Sequence, residues 1–353
     1  MTSSITRKKT FEEFSIKFNA ISVQELFRQY EKIGFIYPAK KALLAPHMKE
    51  ITHNWESLYR SKEEYLWIFT NDPSKLKNFA SITAWKQSNY CLQAQHLVSD
   101  GNPFLSLKVM LAAQFKAEHI HGMDEIRASQ NWFRPNNRYA YRVFASMFEK
   151  LGTEKAALNL FQFLQLPLKF IMETGSYPYL VEEVFQGDEE MNRFLSDRFG
   201  PAFIQAEELN EEDICLERIG EDFKKYGLHR SRKVLKIKGR SGRLLAAMIM
   251  NRAPLGINFS FLENRAYYVL AGNLRLEERL EVLRFMNIQA KSYYRDLRLG
   301  AIPIVTGKKS SEALQKLDAR WLREYLQSIW LREGFSQWYE HIATFLQRIE
   351  RRM

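Results

Sequence analysis

Cysteine and long apolar runs are both scarce in this chain. Only two cysteines, Cys91 and Cys215, occur among 353 residues, and neither has a nearby metal-type partner. The sequence therefore predicts neither a disulfide framework nor a metal site, which is typical of the reducing cytoplasm. No run of about 18 apolar residues is free of charge, so no membrane span is expected. Met1 to Lys9 lack the apolar core of a signal peptide, which also predicts a cytoplasmic protein.

Charge is distributed unevenly along the sequence. The chain carries 52 basic and 41 acidic residues, a net charge of +11. Residues 177–228, the acidic middle, contain 14 acidic and 5 basic residues, whereas residues 229–353 contain 24 basic and 11 acidic ones. One interpretation is internal, with the acidic middle lying near the basic C-terminal part. The other is an anionic partner, such as a nucleotide, an acidic protein or nucleic acid.

The length predicts two domains, and 46% hydrophobic residues can build large cores. In the first half, the apolar pattern predicts a helix, three strands and a helix, at residues 10–32, 65–69, 79–85, 90–98 and 105–118. The middle is predicted to be mostly helical, at 139–151, 156–166, 180–185 and 189–199. The second half repeats the first order, at 214–226, 233–238, 244–250, 266–270 and 276–297, with a further strand predicted at 258–262. A strand at 301–305, which Pro303 places at an edge or a bulge, and two helices at 311–332 and 335–351 complete the prediction.

The same short phrase ends a strand and opens a helix in both halves. Val98-Ser99-Asp100-Gly101-Asn102 recurs 171 positions later as Val269-Leu270-Ala271-Gly272-Asn273. Together with the shared order of elements, this recurrence predicts two copies of one α/β unit. The predicted segments are an N-terminal unit with a helical extension at 1–176, an acidic helical connection at 177–213 and a C-terminal unit with terminal helices at 214–353.

This order of elements resembles that of the GNAT-type N-acyltransferase superfamily, and the chain resembles a tandem GNAT-like protein over residues 10–130 and 214–310. The resemblance implies an α/β (α+β) fold of two GNAT-like mixed-sheet units, with a helical middle segment and C-terminal helices. In that superfamily the turn after the central strand holds the pyrophosphate of acyl-coenzyme A through backbone N–H groups at the start of the next helix. Each turn here has one glycine, whereas the family pattern is Gln or Arg, two residues, Gly, one residue, then Gly or Ala.

The second turn suits an anion better than the first, because Asp100 adds negative charge to the first one. The resemblance therefore implies that the second unit binds acyl-coenzyme A, with an acetyl or a longer acyl group. The predicted cofactor-binding residues are those of the turn and two nearby arginines: Leu270, Ala271, Gly272, Asn273, Arg265 and Arg275. A plainer interpretation is that Gly272 and Gly101 supply a positive φ and that Asn273 or Asn102 caps the helix.

Three residues are candidates for proton transfer. Glu263 is predicted to deprotonate an amine through water, and His96 is predicted to act as a base because its pKa lies near neutrality. Tyr267 or Tyr268 is predicted to face a cleft, where a phenol protonates a leaving thiolate. The plainer interpretations are a surface ion pair of Glu263 with Arg265 at a hairpin turn, a satisfied half-buried histidine, and a core tyrosine.

The predicted function is acyl-coenzyme A-dependent N-acyl transfer to an amine acceptor, either a small molecule or a protein. Two alternatives stay open: a non-catalytic GNAT-like regulatory or interaction protein, and a protein that binds anions or nucleic acid through its basic C-terminal unit. Seven basic residues between positions 230 and 243 form the densest basic run, which fits a solvated sheet face or an anion-binding surface. No aromatic residue interleaves the basic run, so nucleic acid is not the favoured partner.

Overall fold

The computed structural model describes residues 16–61, 64–71, 78–101, 103–117, 125–171 and 177–350. It is a mixed α/β protein, which confirms the predicted fold class. The chain divides into two compact units: unit 1 comprises Met1–Asn131 and Trp330–Met353, and unit 2 comprises Trp132–Ile329. The predicted segments 1–176, 177–213 and 214–353 follow a different division and stay a prediction.

Strands and helices alternate along much of the chain. The strands are β1 (Ile16–Phe18), β2 (Leu66–Asn71), β3 (Ala80–Lys86), β4 (Cys91–Ser99), β5 (Ala128–Phe133), β6 (Ala156–Pro167), β7 (Leu180–Glu183), β8 (Ser231–Lys238), β9 (Leu244–Arg252), β10 (Ala266–Leu270), β11 (Ala301–Thr306) and β12 (Arg320–Leu331). The α-helices are α1 (Val23–Lys32), α2 (Pro38–Leu44), α3 (Met48–Tyr59), α4 (Pro103–Ala117), α5 (Arg138–Phe144), α6 (Phe148–Leu151), α7 (Glu189–Phe199), α8 (Pro201–Ala206), α9 (Glu217–Lys224), α10 (Leu276–Tyr294), α11 (Lys308–Gln315) and α12 (Arg332–Glu350). Short 3₁₀ helices occupy Ala45–His47, Leu168–Phe170 and Leu262–Asn264.

In unit 1 the strands are hydrogen-bonded in the order β1-β2-β3-β4-β5. The strands β1 to β4 pair antiparallel, whereas β5 is parallel to β4. Because parallel neighbours need a crossover connection, α4 carries the chain from β4 to β5. Between β1 and β2, α1 begins after Ser22, whose side chain accepts a hydrogen bond from the Glu25 amide and so caps the helix.

In unit 2 the strand order is β12-β6-β11-β10-β9-β8-β7. The strands β8, β9 and β10 pair antiparallel, and β11 is parallel to β10 after the crossover helix α10. Each unit therefore contains three antiparallel strands, a helix, and a fourth strand parallel to the third. In both units the crossover helix begins shortly after one of the two glycine turns that the sequence pattern marks.

The core of unit 2 lies between its sheet and α10. Alternate strand residues such as Met248 and Tyr268 face the helix, as the two-residue period of a strand requires. Helix residues four positions apart, Val282, Met286 and Ala290, pack against them. This packing fixes the carboxyl end of β10 relative to the first turn of α10.

Three of the predicted helices are wrong. Residues 156–166 form β6, residues 180–185 include β7, and residues 311–332 divide into α11 and β12, with Asp318 at φ +64° between them. Short apolar runs fit a helix or a buried strand equally well. In the folded protein β6 pairs with β11 and β7 pairs with β8, so both segments are strands.

Three smaller predictions also need correction. Residues 258–262 form no strand, because they are turns that lead into the 3₁₀ helix Leu262–Asn264. The described part of residues 10–32 is not one helix but β1 and α1, with Asn19 at φ +44° between them, and residues 10–15 lie outside the described residues. β11 is an interior strand, not an edge strand, because it lies between β6 and β10. Its ladder with β10 begins at Ile304, so Pro303, which has no N–H group, lies just outside that ladder.

Candidate functional site at the carboxyl ends of β10 and β11

The strand β11 ends earlier than the two strands that flank it. Its last residue, Thr306, lies opposite Gln162 of β6 and opposite Tyr268 of β10. Beyond this point β6 continues with residues 156–161 and β10 with residues 269–270. The sheet therefore has a gap here, and a cavity of about 290 Å³ lies at it. The cavity is lined by Leu158, Asn159, Leu160, Phe161, Arg198, Phe199, Tyr268, Val269 and Gly307.

Two helices begin at this end of the sheet. The helix α10 follows the turn formed by residues 271–275, and α11 follows its N-cap, Gly307; neither has a side-chain cap. The first N–H groups of a helix lack partners inside it and lie at the positive end of its dipole, so both helix starts suit an anion. The first turn of α10 contains Glu277 and Glu278, whereas that of α11 contains no acidic residue. The start of α11 is therefore the more favourable of the two.

Arg279 of α10 connects the two helix starts. Its Nη2 donates to the Leu274 carbonyl at 3.1 Å, in the turn before α10, and its Nη1 donates to Ser310 Oγ at 3.2 Å, in the first turn of α11. The residue is only 4% exposed. No carboxylate forms an ion pair with it among the described residues. Burial lowers the pKa of its guanidinium, although the charge of Glu278 opposes this shift.

Arg198, at the end of α7, is the charged side chain of the cavity lining. The residue is solvent-exposed, yet its Nη1 donates to the carbonyl of Leu270, the last residue of β10, at 2.5 Å. Partial burial of the guanidinium and the nearby charge of Arg279 lower the pKa of Arg198. In the part of the chain that the structure describes, Arg198 has no carboxylate partner either. The site therefore brings together two cations without a matching anion.

The predicted turn lies at the rim of this site. Gly272 and Asn273 are exposed, and Arg243 Nη2 donates to Asn273 Oδ1 at 2.6 Å. For this turn the plainer interpretations are wrong, because Gly272 has no positive φ and because Arg275, not Asn273, is the N-cap residue of α10. For the first turn the positive φ is confirmed, since Gly101 has φ +66°. Ala271 is turned inward, since its amide donates to a carbonyl of β9.

The structure separates Arg265 and Tyr267 from the turn. Both lie at the amino end of β10, and about 20 Å of extended chain divides them from Gly272. Arg265 Nη2 and the Tyr267 hydroxyl both donate to Glu207 Oε1, at 3.0 and 2.8 Å, and Arg232 Nη2 donates to Glu207 Oε2 at 3.1 Å. Burial raises the pKa of Tyr267 well above its ordinary value. These groups are part of the interior of unit 2 and do not line the cavity.

Glu263 lies before β10, in a short 3₁₀ helix, and it is 1% exposed. The predicted surface ion pair with Arg265 is wrong, because both residues are buried. Glu263 Oε1 accepts a hydrogen bond from the Gly256 amide at 2.6 Å, while Oε2 has no hydrogen-bond partner among the described residues. Burial raises the pKa of this carboxyl to about 8.

We expect Glu263→Gln to reduce the pH dependence of stability. The native carboxyl keeps its proton up to a pKa of about 8, whereas the unfolded chain loses it near the ordinary value of 4.5. The native state therefore binds more protons in this window, and wild-type stability falls as pH rises through it, by at most about 1.4 kcal/mol per pH unit.

Urea unfolding at several pH values across this window measures the slope in each protein. The matched control is Glu277→Gln, which removes the same charge from an exposed position. A wild-type slope that persists in Glu263→Gln would contradict a buried, protonated carboxyl.

His96 belongs to unit 1, where it lies on β4 at φ +52°. The register between β3 and β4 shifts at this point, which indicates a β-bulge. The imidazole stacks on Trp55 with ring centroids 5.6 Å apart and meets Tyr30 and Phe35 at steeper angles. Burial, with a smaller effect from the charge of Lys40, lowers the pKa of His96 well below its ordinary value. The ring is therefore a neutral member of an aromatic cluster.

Sequence reasoning missed Arg198, Arg279 and Ser310. Arg279 is one of several charged residues in α10, and no local pattern shows that it is buried. Arg198 precedes its partner Leu270 by 72 positions. Gly200-Pro201 after Arg198 predicts that α7 ends there and that the chain reverses. It does not predict which part of the fold Arg198 contacts.

The basic run is largely paired within unit 2. Lys236 Nζ lies 2.7 Å from an Asp188 carboxylate oxygen, and Lys238 Nζ lies 2.8 Å from one of Glu190. Both acids belong to the acidic middle, so the internal interpretation of the charge asymmetry is confirmed for these residues. In the described ranges, no helix is long and apolar enough to cross a membrane, and no group of three or more His, Cys, Asp or Glu residues could hold a metal ion.

No family model and no curated protein match this chain. Among solved structures, it is similar to a GCN5-related N-acetyltransferase from Sphaerobacter thermophilus, with 10% identity, 78% of this chain and 85% of that chain covered, and a TM-score of 0.39. It is also similar to a putative acetyltransferase from Pyrococcus horikoshii (8% identity, 91% and 90% covered, TM-score 0.42) and to a Drosophila protein (11% identity, 86% and 96% covered, TM-score 0.41).

Proposed function

We propose that unit 2 is an N-acyltransferase that moves an acyl group from acyl-coenzyme A to an amine. The observation that carries this proposal is Arg279, a buried cation between two helix starts with no carboxylate ion pair in the described residues. Ligands of α/β proteins bind outside the carboxyl ends of parallel strands, and helix starts favour phosphate groups. The GNAT-like order of strands and helices supports coenzyme A as the phosphate-bearing ligand.

In this proposal the pyrophosphate lies against Arg279 and the first amides of α11. The turn formed by residues 271–275 is the rim of the site, where Arg243 and Arg275 supply positive charge. The acyl-bearing arm enters the gap between β6 and β10. Of the predicted cofactor-binding residues, Gly272, Asn273 and Arg275 keep a role at the rim. Leu270 and Ala271 do not, because the Leu270 carbonyl accepts from Arg198 and the Ala271 amide donates to the Leu245 carbonyl. Arg265 does not either, because its guanidinium is held by Glu207.

The chemical step is attack of the amine on the thioester carbonyl, with departure of the thiolate. The described cavity lining contains no carboxylate and no imidazole, so we propose that the amine loses its proton to water. The tyrosine that lines the cavity is Tyr268, not Tyr267. The Tyr268 hydroxyl donates to the Met286 carbonyl at 3.5 Å. Glu263 and His96 receive no part in this step, since both are buried away from the cavity lining.

Thermal unfolding with added ligands tests the proposal. A ligand that binds only the folded state stabilises it by about 2.7 kcal/mol at a concentration of about 100 times Kd. We expect the unfolding midpoint to rise with acetyl-coenzyme A, with a longer acyl-coenzyme A and with coenzyme A itself, and we expect acyl transfer to a primary amine. No rise with any of these compounds at millimolar concentration would overturn the proposal. A rise without transfer to any of a broad panel of amines would favour the non-catalytic alternative.

We expect Gly272→Asp to weaken coenzyme A binding about 10-fold, because about 1.4 kcal/mol of repulsion arises between the new carboxylate and the phosphates. Gly272→Ala is the matched control and should bind like the wild type. Gly272 has no positive φ and no atom within 4 Å of the position of a Cβ, so neither substitution strains the turn. Calorimetric titration with coenzyme A gives both Kd values, and equal values would show that the phosphates lie elsewhere.

The tandem arrangement is part of the same proposal. Its support is that unit 1 repeats the order of three antiparallel strands, a crossover helix and a parallel strand. We assign the cofactor to unit 2, because the turn of unit 1 contains Asp100. Nucleic-acid binding is not proposed, since lysines of the basic run are paired with acids of the same unit.

A further inference from the structure

We propose that the cavity of unit 2 binds a small carboxylate and that the Arg198 guanidinium is its receptor. The carboxylate belongs either to an amino-acid acceptor or to the far end of a dicarboxylic acyl group. The choice between these two sources rests on the proposed function. The receptor does not, because it is defined by the cavity and by the charge of Arg198.

The size and the mixed lining of the cavity favour a small ligand that has both an apolar and a polar part. A volume of about 290 Å³ corresponds to about ten water-sized groups. The lining presents polar and apolar surface in similar amounts, and its apolar part includes Leu158, Phe161 and Phe199. Arg198 is the one charged residue among the described residues of this lining. A short carbon chain that ends in an anion matches this combination.

Arg198 has unused donors for such an anion. Its guanidinium carries five N–H groups, and one hydrogen bond, from Nη1 to the Leu270 carbonyl, is found for it among the described residues. Its Nη2 lies 3.9 Å from the position that a Cβ on Gly307 would take, so the guanidinium reaches across the end of β11. The planar fork of an arginine binds a carboxylate through two parallel hydrogen bonds.

The surroundings of Arg198 strengthen its attraction for an anion. The charge of Arg279 is close enough to lower the pKa of Arg198, so the two cations repel each other when no anion is present. The bond to Leu270 fixes one side of the guanidinium, and the chain reverses directly behind it at Gly200, which has φ +81°. The fork is thereby held before the ligand arrives, which lowers the entropy cost of binding.

Binding of butyrate and of butyramide to the wild-type protein, followed by NMR titration, tests the receptor. The two probes have nearly the same shape and differ in charge. We expect butyrate to bind at least about 10-fold more tightly, and we expect Arg198→Gln to remove this preference while Arg198→Lys keeps part of it. The matched control is Arg193→Gln, an exposed arginine of the same helix, which should keep the full preference. Equal binding of the two probes, or an unchanged preference in Arg198→Gln, would overturn the inference.

Transfer assays identify the source of the carboxylate. Higher kcat/KM for an amino acid than for its amide, lost in Arg198→Gln, would assign it to the acceptor. Higher kcat/KM for succinyl- than for butyryl-coenzyme A, lost in the same variant, would assign it to the acyl group. Coenzyme A binding is measured in parallel on every variant. Selective butyrate binding without coenzyme A binding would overturn the proposed function alone. Coenzyme A binding without a preference for butyrate would overturn this inference alone.

Discussion

Arg279→Gln should bind coenzyme A about 10-fold to 150-fold more weakly than the wild-type protein. A hydrogen bond to a charged group contributes about 1.5–3 kcal/mol, and the side chain of Arg279 is the buried cation that we place against the pyrophosphate. Glutamine can still donate to the Leu274 carbonyl or to Ser310 Oγ, so the substitution removes the charge and preserves part of the local bonding. The unfolding midpoint as a function of coenzyme A concentration measures the change.

The unliganded variant provides the second half of this prediction. A buried charge without an ionic partner costs folding free energy, so its removal should leave the unliganded Arg279→Gln protein at least as stable as the wild type. Loss of binding without loss of stability is the signature of a ligand-binding cation. The control is Arg284→Gln, an exposed position on α10, which should change neither quantity. A variant that is destabilised but binds coenzyme A normally would make Arg279 a structural residue and would contradict the proposed site.

Glu207→Gln should destabilise unit 2 by about 3–5 kcal/mol, which is the usual cost of breaking a buried ion pair by removing one partner. Glu207 is completely buried, with both oxygens occupied: Oε1 accepts from Arg265 and Tyr267, and Oε2 accepts from Arg232. One carboxylate thus balances two guanidiniums in the interior. The neutral amide would remove the carboxylate that both cations share and would direct an N–H group toward one of them.

Tyr267→Phe is the comparison for this prediction. It removes no charge, but it removes the hydrogen bond to Glu207 and the bonds that the hydroxyl accepts from Arg265 Nε and Gln327 Nε2. A loss of about 1–3 kcal/mol is therefore expected. Denaturant midpoints of the two variants and the wild type separate the effects, provided that the m-values agree. Similar losses in Glu207→Gln and Tyr267→Phe would show that the ionic part of the cluster contributes little. Since neither residue lines the cavity, coenzyme A binding by the folded fraction should be unchanged in both.

The strands and turns around the site were largely predictable from the sequence. The alternating and continuous apolar patterns at 244–250 and 266–270 correspond to β9 and β10, and the predicted helix at 276–297 corresponds to α10. Local patterns succeed here because a strand that is buried on both faces and a long helix each impose their own spacing on the sequence. The prediction of a helix at 156–166 was wrong because the strand β6 depends on its neighbours β11 and β12, which are distant in sequence.

The site itself was predictable only in part. A glycine turn between a strand and a helix is a local feature, so Gly272 could be found at the rim without a structure. The ion pair of Arg265 with Glu207 was not predictable, because Glu207 is 58 positions away and the pair is buried rather than exposed. The anion-binding role that we propose instead for Arg279 depends on Leu274 and Ser310, which only the packing of α10 beside α11 brings together.

By itself, the sequence determined the mixed α/β class, the strand-turn-helix recurrence and the carboxyl end of β10, because these features follow from residue spacing over a few turns of chain. Only the tertiary structure decided which cations are neutralised and which are not. Charge pairing depends on distance in space, and the side chains that pair with Lys236 and Arg265, like the carbonyl that holds Arg198, lie roughly 50 to 70 positions away along the chain.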